Sequence, residues 1–198
     1  MADNALILYP TDPNYEIRDY AEFLERLHNV GFLGHEYDYD KTQFWQGEKF
    51  FEYIEFSRSH KIAMLDNVNG ELKQVNEVNS RDHCHIAVKD HGEETEILGV
   101  LNSYSVPPLC TGCGIRISEW VNELWGWYEN KEKYLFSCPI CNKASKIYEL
   151  DWLKGLGFAR CSIEIRHIWR GEAHPSVELL TLLKEATEMD WIYLYFRF

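Results

Sequence analysis

The sequence predicts an α+β fold, with strand–helix–strand elements at both ends and a four-cysteine segment inserted between them. Three observations predict this class. The chain has 198 residues, 45% of them hydrophobic and 15% aromatic, which is enough apolar material for a sizeable core. Short runs of β-forming residues at both ends accompany segments with apolar residues at helical spacing. Four of the six cysteines form two closely spaced pairs in the middle.

The first strand–helix–strand element occupies the N-terminal forty residues. Residues 5–9 form a short apolar run that Pro10 ends, which predicts a strand. Apolar residues over 15–29 recur on one helical face, and Gly31 is expected to end that helix. Residues 35–40 then alternate tyrosine with acid, which predicts a second strand.

The middle of the first half is less regular. Residues 44–56 are the densest aromatic stretch, and their periodicity fits helix or strand. Residues 66–82 are polar with an Asn-Gly pair, which predicts a hairpin or a long loop. Two further strands are expected at 85–88 and 96–101, and the paired prolines at 107–108 mark an internal boundary.

The C-terminal third has the clearest patterns. Residues 161–168 alternate, which predicts a strand with His167 on the same face as two isoleucines. The apolar stripe of residues 177–186 predicts a helix that Ser176 caps. The aromatic, β-forming residues 191–198 are expected to pair as a strand.

These segments divide the chain into three predicted parts. They are an acidic α+β region of residues 1–106, an insert of residues 107–150 and a β–α–β segment of residues 151–198 that packs on the first region. The net charge of −12 belongs to the first part, because residues 1–100 hold 20 acids and 9 bases, whereas residues 101–198 hold 12 and 11. The acidity is either ordinary solvated charge or a field that steers a basic partner.

The two cysteine pairs are Cys110 with Cys113 and Cys138 with Cys141. Two intervening residues let both thiolates of one turn face a common ion, and two such turns supply four thiolates in a tetrahedron. Structural zinc sites use this ligand set. Two cysteine pairs therefore favour metal binding over a thioredoxin-like dithiol, and a four-thiolate iron site stays an alternative.

The segments Pro108-Leu-Cys-Thr-Gly-Cys-Gly114 and Ser137-Cys-Pro-Ile-Cys-Asn142 resemble the two knuckles of a zinc ribbon, and the resemblance covers about 35 residues, 108–142. The resemblance implies one structural Zn²⁺ ion and no particular activity, since this module occurs in proteins of many functions. It also implies short hairpins beside the knuckles, for which residues 133–137 and 146–150 are candidates. Residues 117–128 predict a short amphipathic helix between the knuckles.

The expected cellular compartment follows from the absence of membrane-spanning and signal-peptide patterns in the sequence. No run approaches the ~18–20 apolar residues that span a bilayer, and the N-terminal residues carry acids instead of a signal-peptide pattern. We therefore expect a cytoplasmic protein without a membrane partner. In that reducing compartment the cysteines stay free of disulfides.

Two further segments resemble metal sites more weakly. His83, Cys84, His85 and His91 look like a second cluster, but on a strand Cys84 faces away from His83 and His85, so ordinary half-buried residues are favoured. The His91-Gly-Glu segment followed by 108–113 is similar to the zinc deaminase signature. An intruding leucine and the second cysteine pair, which would close the site, argue against it. Cys161 lies on a predicted strand and is expected to be a core residue.

The chain has no Walker loop, G-x-S-x-G, H-E-x-x-H or dinucleotide-binding glycine run. The sequence therefore favours a non-enzymatic protein-binding protein of bacterial or phage type with a structural zinc site, such as an immunity or antitoxin-type inhibitor. A basic protein partner would bind an acidic aromatic surface. Its residues are Glu36, Tyr37, Asp38, Tyr39, Asp40, Trp45, Glu52 and Glu55.

Two alternatives remain. One is a zinc-ribbon nucleic-acid-binding accessory factor that acts through residues 143–170, where six bases face three acids. The other is a zinc-dependent hydrolase or deaminase, which would need an open coordination position on the metal.

Overall fold

The computed structural model describes seven ranges of the chain: residues 4–36, 42–56, 66–68, 71–73, 84–99, 106–131 and 133–197. Both helices and strands occur in these ranges, and runs of consecutive strands lie between the helices, which confirms the α+β class. Among the described helices, none combines the length and the apolar composition that crossing a bilayer requires.

The helices are α1 (Tyr20–Asn29), α2 (Phe50–Tyr53), α3 (Trp120–Glu129) and α4 (Val177–Thr187). The strands, in chain order, are β1 (Asn4–Pro10), β2 (Leu33–Glu36), β3 (Gln43–Gln46), β4 (Ile54–Phe56), β5 (Asp66–Val68), β6 (Glu71–Lys73), β7 (Ile86–Asp90), β8 (Glu96–Leu98), β9 (Phe136–Ser137), β10 (Ala144–Ser145), β11 (Gly157–Ala159), β12 (Cys161–Arg166), β13 (Ala173–Pro175) and β14 (Trp191–Arg197).

Six strands form a central antiparallel sheet in the spatial order β14–β1–β12–β7–β3–β2. Leu6 of β1 lies opposite Ile165 of β12 on one side and Tyr195 of β14 on the other. The N-terminal strand is thus held between two strands from the C-terminal third. The prediction that the C-terminal aromatic run pairs as a strand is confirmed.

Two helices and one face of this sheet enclose the largest hydrophobic cluster. Alternate strand residues such as Leu6, Ile86 and Ile163 meet Leu27 of α1 and Leu183 of α4 there. Because strand side chains alternate between faces, Leu6 and Leu8 of β1 point into this core, whereas Ile7 and Tyr9 point to the opposite face.

Caps set the helix starts. Asp19 accepts a hydrogen bond from the Glu22 backbone N–H (2.9 Å), so α1 begins at Tyr20, later than the residue 15 predicted from apolar spacing. Ser176 accepts from the Leu179 N–H (3.1 Å), which confirms the predicted start of α4.

Several ambiguous segments are resolved by tertiary pairing. Residues 44–56 contain both a strand and a helical turn, and their last strand, β4, pairs with β13. β5 and β6 pair antiparallel, as the predicted hairpin requires, and residues 69–70 and 74–82 of that segment lie outside the described residues. His167 does not continue the strand face, because β12 ends at Arg166 and His167 has a φ of 65°.

On the opposite face of the sheet, the pair β8–β11 covers Ile7, Tyr9 and Leu194. Gly157 makes this close crossing feasible, since a Cβ there would lie 2.6 Å from Cζ of Tyr9. The next residue, Phe158, belongs to a third cluster that surrounds the cysteines, so β11 links the sheet to the cysteine region.

That third cluster is built on Trp120, Leu124 and Trp127 of α3. Trp152 and Phe158 complete it, so its apolar contacts extend beyond residue 150. The division of the chain into residues 1–106, 107–150 and 151–198 stays a prediction.

Candidate metal centre

The four predicted cysteines lie together. Their Sγ atoms are all within 4.8 Å of one another, with 3.7 Å between Cys110 and Cys141 and 3.7 Å between Cys113 and Cys138. A disulfide would bring two sulfurs to about 2.0 Å, and all four thiols are free. Four sulfurs about 2.3 Å from a central ion define tetrahedron edges of about 3.8 Å. The cluster therefore fits one tetrahedral metal ion.

The first knuckle is a tight turn closed by its own backbone. The N–H of Cys110 donates to the carbonyl of Ile115 (2.9 Å), and the N–H of Gly114 donates to the carbonyl of Cys110 (2.8 Å). Gly114 has a φ of 72°, a conformation that glycine adopts without steric strain. The N–H of Gly112 points at the Cys110 Sγ, 3.3 Å away.

The second knuckle repeats this geometry. The N–H of Cys138 donates to the carbonyl of Lys143 (3.0 Å), and the N–H of Asn142 donates to the carbonyl of Cys138 (2.9 Å). Asn142 occupies the position equivalent to Gly114 and has a φ of 57°. Asparagine is the residue besides glycine that most readily adopts this conformation. The role of Asn142 was missed from sequence, although its equivalent spacing after the cysteine pair is a usable signal.

Backbone amides favour the thiolate form of two ligands. The N–H groups of Gly112 and Cys113 lower the pKa of Cys110 to about 6. Those of Cys141 and Ile140 lower the pKa of Cys138. Since metals bind thiolate and not thiol, the knuckles prepare these sulfurs to bind an ion.

The two knuckles touch directly. A Cβ on Gly112 would lie 3.1 Å from the Cys141 Sγ and 2.9 Å from Cδ of Lys143. The Lys143 ammonium donates to the hydroxyl of Thr111 (3.0 Å), which ties one turn to the other. A side chain at position 112 would therefore force the Lys143 stem and the Cys141 sulfur to shift.

The cluster is half embedded in its module. Cys110 and Cys138 are buried and belong to the apolar cluster beneath, whereas Cys113 and Cys141 are exposed. Four protein ligands would complete the tetrahedral shell of a bound ion and leave no position for a substrate or a water molecule. Closed shells of this kind are typical of structural zinc sites.

Elements around the knuckles agree in part with the zinc-ribbon resemblance. β9 and β10 pair on either side of the second knuckle, and α3 confirms the predicted helix between the pairs. The strand expected at 146–150 is wrong: Ile147–Glu149 form a 3₁₀ turn, in which Glu149 accepts from the Lys146 N–H (2.9 Å). Two main-chain hydrogen bonds between Leu109 and Asp151 (2.8 and 3.0 Å) hold the start of the first knuckle to the segment that follows the second knuckle.

The predicted acidic aromatic surface is described in part. Glu36 ends the edge strand β2 with its side chain exposed, and Trp45 of β3 is half-buried. Glu52 and Glu55 are exposed, and the Glu55 carboxylate lies 3.5 Å from Nε2 of His174. Residues 37–40, the centre of the prediction, lie outside the described residues.

The weaker metal patterns do not assemble in the described part of the chain, where the four-cysteine group alone could hold an ion. Burial raises the pKa of the Cys84 thiol to about 12. The Nε2 atom of His91 lies 3.4 Å from the hydroxyl of Ser162. His83 lies outside the described residues. Cys161 is a buried core residue, as predicted, and burial raises its pKa to about 12.

The basic segment 143–170 is distributed over different environments. Arg160 pairs with Glu16 (3.2 Å), and Arg166 pairs with Glu164 (2.7 Å). These two guanidinium groups therefore already form ion pairs with acids of the same chain. The nucleic-acid alternative stays a prediction.

Compared with known protein families, curated proteins and solved structures, the chain shows no match. Fold and site together define an α+β protein with a four-cysteine cluster that could bind a metal. Its function has to follow from its own residues.

Proposed function

We propose that this chain is a non-enzymatic protein-binding protein in which one structural Zn²⁺ ion holds the cysteine module together. The proposal places it in a reducing compartment such as the cytoplasm, where free thiols persist. Its partner would be a basic protein, and the chain would act on it as an immunity or antitoxin-type inhibitor.

The four-thiolate cluster is the observation that carries the proposal. Cys110, Cys113, Cys138 and Cys141 would bind the ion with edges near those of a zinc tetrahedron. Zinc bound in this way supplies folding free energy, because the unfolded chain has no preformed site. The ion would fix α3 and the apolar cluster under it.

The proposed interaction surface combines exposed residues of β2, β3, α2 and β4. Residues 33–56 contain six acids and two lysines. Exposed Glu36, Glu52 and Glu55 supply charge, while Trp45 and Phe51, which is 43% exposed, supply rings. Carboxylates accelerate the encounter with a basic partner, and aromatic side chains provide the buried contacts that slow its release.

The metal assignment is tested by elemental analysis of the purified chain. We expect one zinc per chain, and loss of that zinc in Cys113→Ser and Cys141→Ser, whose side chains are exposed ligands. Cys161→Ala is the matched control, since its thiol lies in the other core and should leave the zinc content unchanged. A stoichiometric iron content with visible absorption, or a chain without metal, would overturn the assignment.

The interaction surface is tested by charge reversal. The triple variant Glu36→Lys, Glu52→Lys and Glu55→Lys should lose a basic protein that the unmodified chain captures. The control reverses three exposed acids elsewhere and changes net charge equally: Glu25, Glu129 and Glu178. Equal capture by both triple variants would show that this acidic surface is not the interface.

A further inference from the structure

A cavity of about 360 Å³ lies where β1 ends and β14 begins, against the segment that follows the second knuckle. Six aromatic side chains line it, and they come from the sheet and from the cysteine module: Tyr9, Tyr148, Trp152, Phe158, Trp191 and Tyr193. Its volume is in the range of small-molecule sites, which favour junctions between structural units. Neither the metal site nor the proposed acidic surface accounts for it.

A turn in an unfavourable conformation forms one rim of the cavity. Leu153 has a φ of 52° and Lys154 a φ of 60°, and the Gly155 N–H donates to the Trp152 carbonyl (2.8 Å). Such a type I′ turn ordinarily uses asparagine and glycine, which tolerate positive φ. Both of these non-glycine residues line the cavity. Strain of this kind is concentrated where a structure positions a ligand.

The charged group presented by this turn is an ammonium. The Lys154 Nζ lies 5.3 Å from the ring centroid of Tyr193, and no acid in the described ranges forms an ion pair with it. Asp151, an acid that also lines the cavity, has a carboxylate oxygen that accepts the N–H of Leu153 (2.9 Å) and so stabilises the turn. Burial raises the pKa of Tyr9 to about 12, so this phenol adds no negative charge at neutral pH.

We propose that this cavity binds a small, planar aromatic molecule that carries one acidic group. The ring would lie among the six aromatic side chains, and the acidic group would pair with the Lys154 ammonium. Aromatic pairs in offset or edge-on geometry favour a flat occupant. A cationic ligand would meet the ammonium at the rim and be repelled.

Three indoles that differ in charge test this: indole-3-carboxylate, the neutral and nearly isosteric indole-3-carboxamide, and the cationic tryptamine, whose amine is on a longer side chain. Isothermal titration calorimetry on the full metal-loaded chain should show the carboxylate binding about tenfold more tightly than the carboxamide. A hydrogen bond between charged groups contributes binding free energy of this size. Tryptamine should bind most weakly. No carboxylate binding, equal affinities, or tighter tryptamine binding would each overturn the proposal.

Variants locate the binding. Lys154→Met keeps the apolar stem and should weaken carboxylate binding about tenfold, with carboxamide binding unchanged. Lys133→Met, at an exposed lysine outside the cavity lining, is the matched control. Leu180→Trp fills the cavity from α4 and should abolish carboxylate binding in a chain that still melts cooperatively and retains its metal. Carboxylate affinity unchanged in both cavity variants would contradict the assignment.

Discussion

Replacing Gly112 with alanine probes the closest approach between the two knuckles. The added methyl carbon would lie 3.1 Å from the Cys141 Sγ and 2.9 Å from Cδ of Lys143. The lysine stem can rotate away, at the loss of its hydrogen bond to Thr111. A sulfur fixed by metal cannot move without distorting the tetrahedron. Overpacking of this kind costs about 1–3 kcal/mol, which corresponds to metal binding weakened about 5-fold to about 150-fold.

The assay is competition for the metal with a chromophoric chelator at fixed pH, for Gly112→Ala and the unmodified chain. Gly92→Ala is the control: Gly92 has a φ of 72°, and nothing lies within 4 Å of the added Cβ. That variant should lower the free energy of unfolding and leave metal affinity unchanged. Metal affinity unaffected in Gly112→Ala would refute the inferred contact between the knuckles.

Three further outcomes are expected. Chelation of the metal should lower the free energy of unfolding in urea by several kcal/mol, of the order seen for structural zinc, and an unchanged urea midpoint would contradict a folding role. Thr187→Val removes the hydroxyl that accepts from the Trp191 indole N–H (2.9 Å), so urea unfolding should show a loss of about 1–3 kcal/mol; a loss below a few tenths would contradict this. Leu153→Asn combined with Lys154→Gly should raise the free energy of unfolding, measured by thermal melting, by about 1–2 kcal/mol, because the new residues relieve the strain of two positive φ angles. A decrease would show that the turn is not strained.

Local features were predictable from the sequence. The metal site depends on two short spacings, so the pairs at residues 110–113 and 138–141 could be identified without knowledge of the fold. The same holds for α4, whose start depends on Ser176 and the residues just after it. In each case the deciding interactions lie within one turn of chain.

Features that depend on distant residues could not be predicted. Residues 44–56 carry a pattern that fits helix and strand equally, and the pairing of β4 with β13 decides the end of that segment. Ile17 fits the helical stripe but lies before the Asp19 cap, and it is buried outside the helix. The cavity joins side chains as far apart as Tyr9 and Tyr193, so no sequence window contains it.

The placement of β1 has a consequence for how the chain folds during synthesis. Leu6 pairs with Ile165 and Tyr195, so this strand acquires both neighbours only after the residues of β12 and β14 have left the ribosome. Contacts so distant in sequence slow folding, because a long loop must close before they form. The cysteine knuckles are far closer together in sequence and can acquire their metal earlier. We expect the metal module to fold first and the apolar N-terminal strand to stay exposed until the last strands arrive.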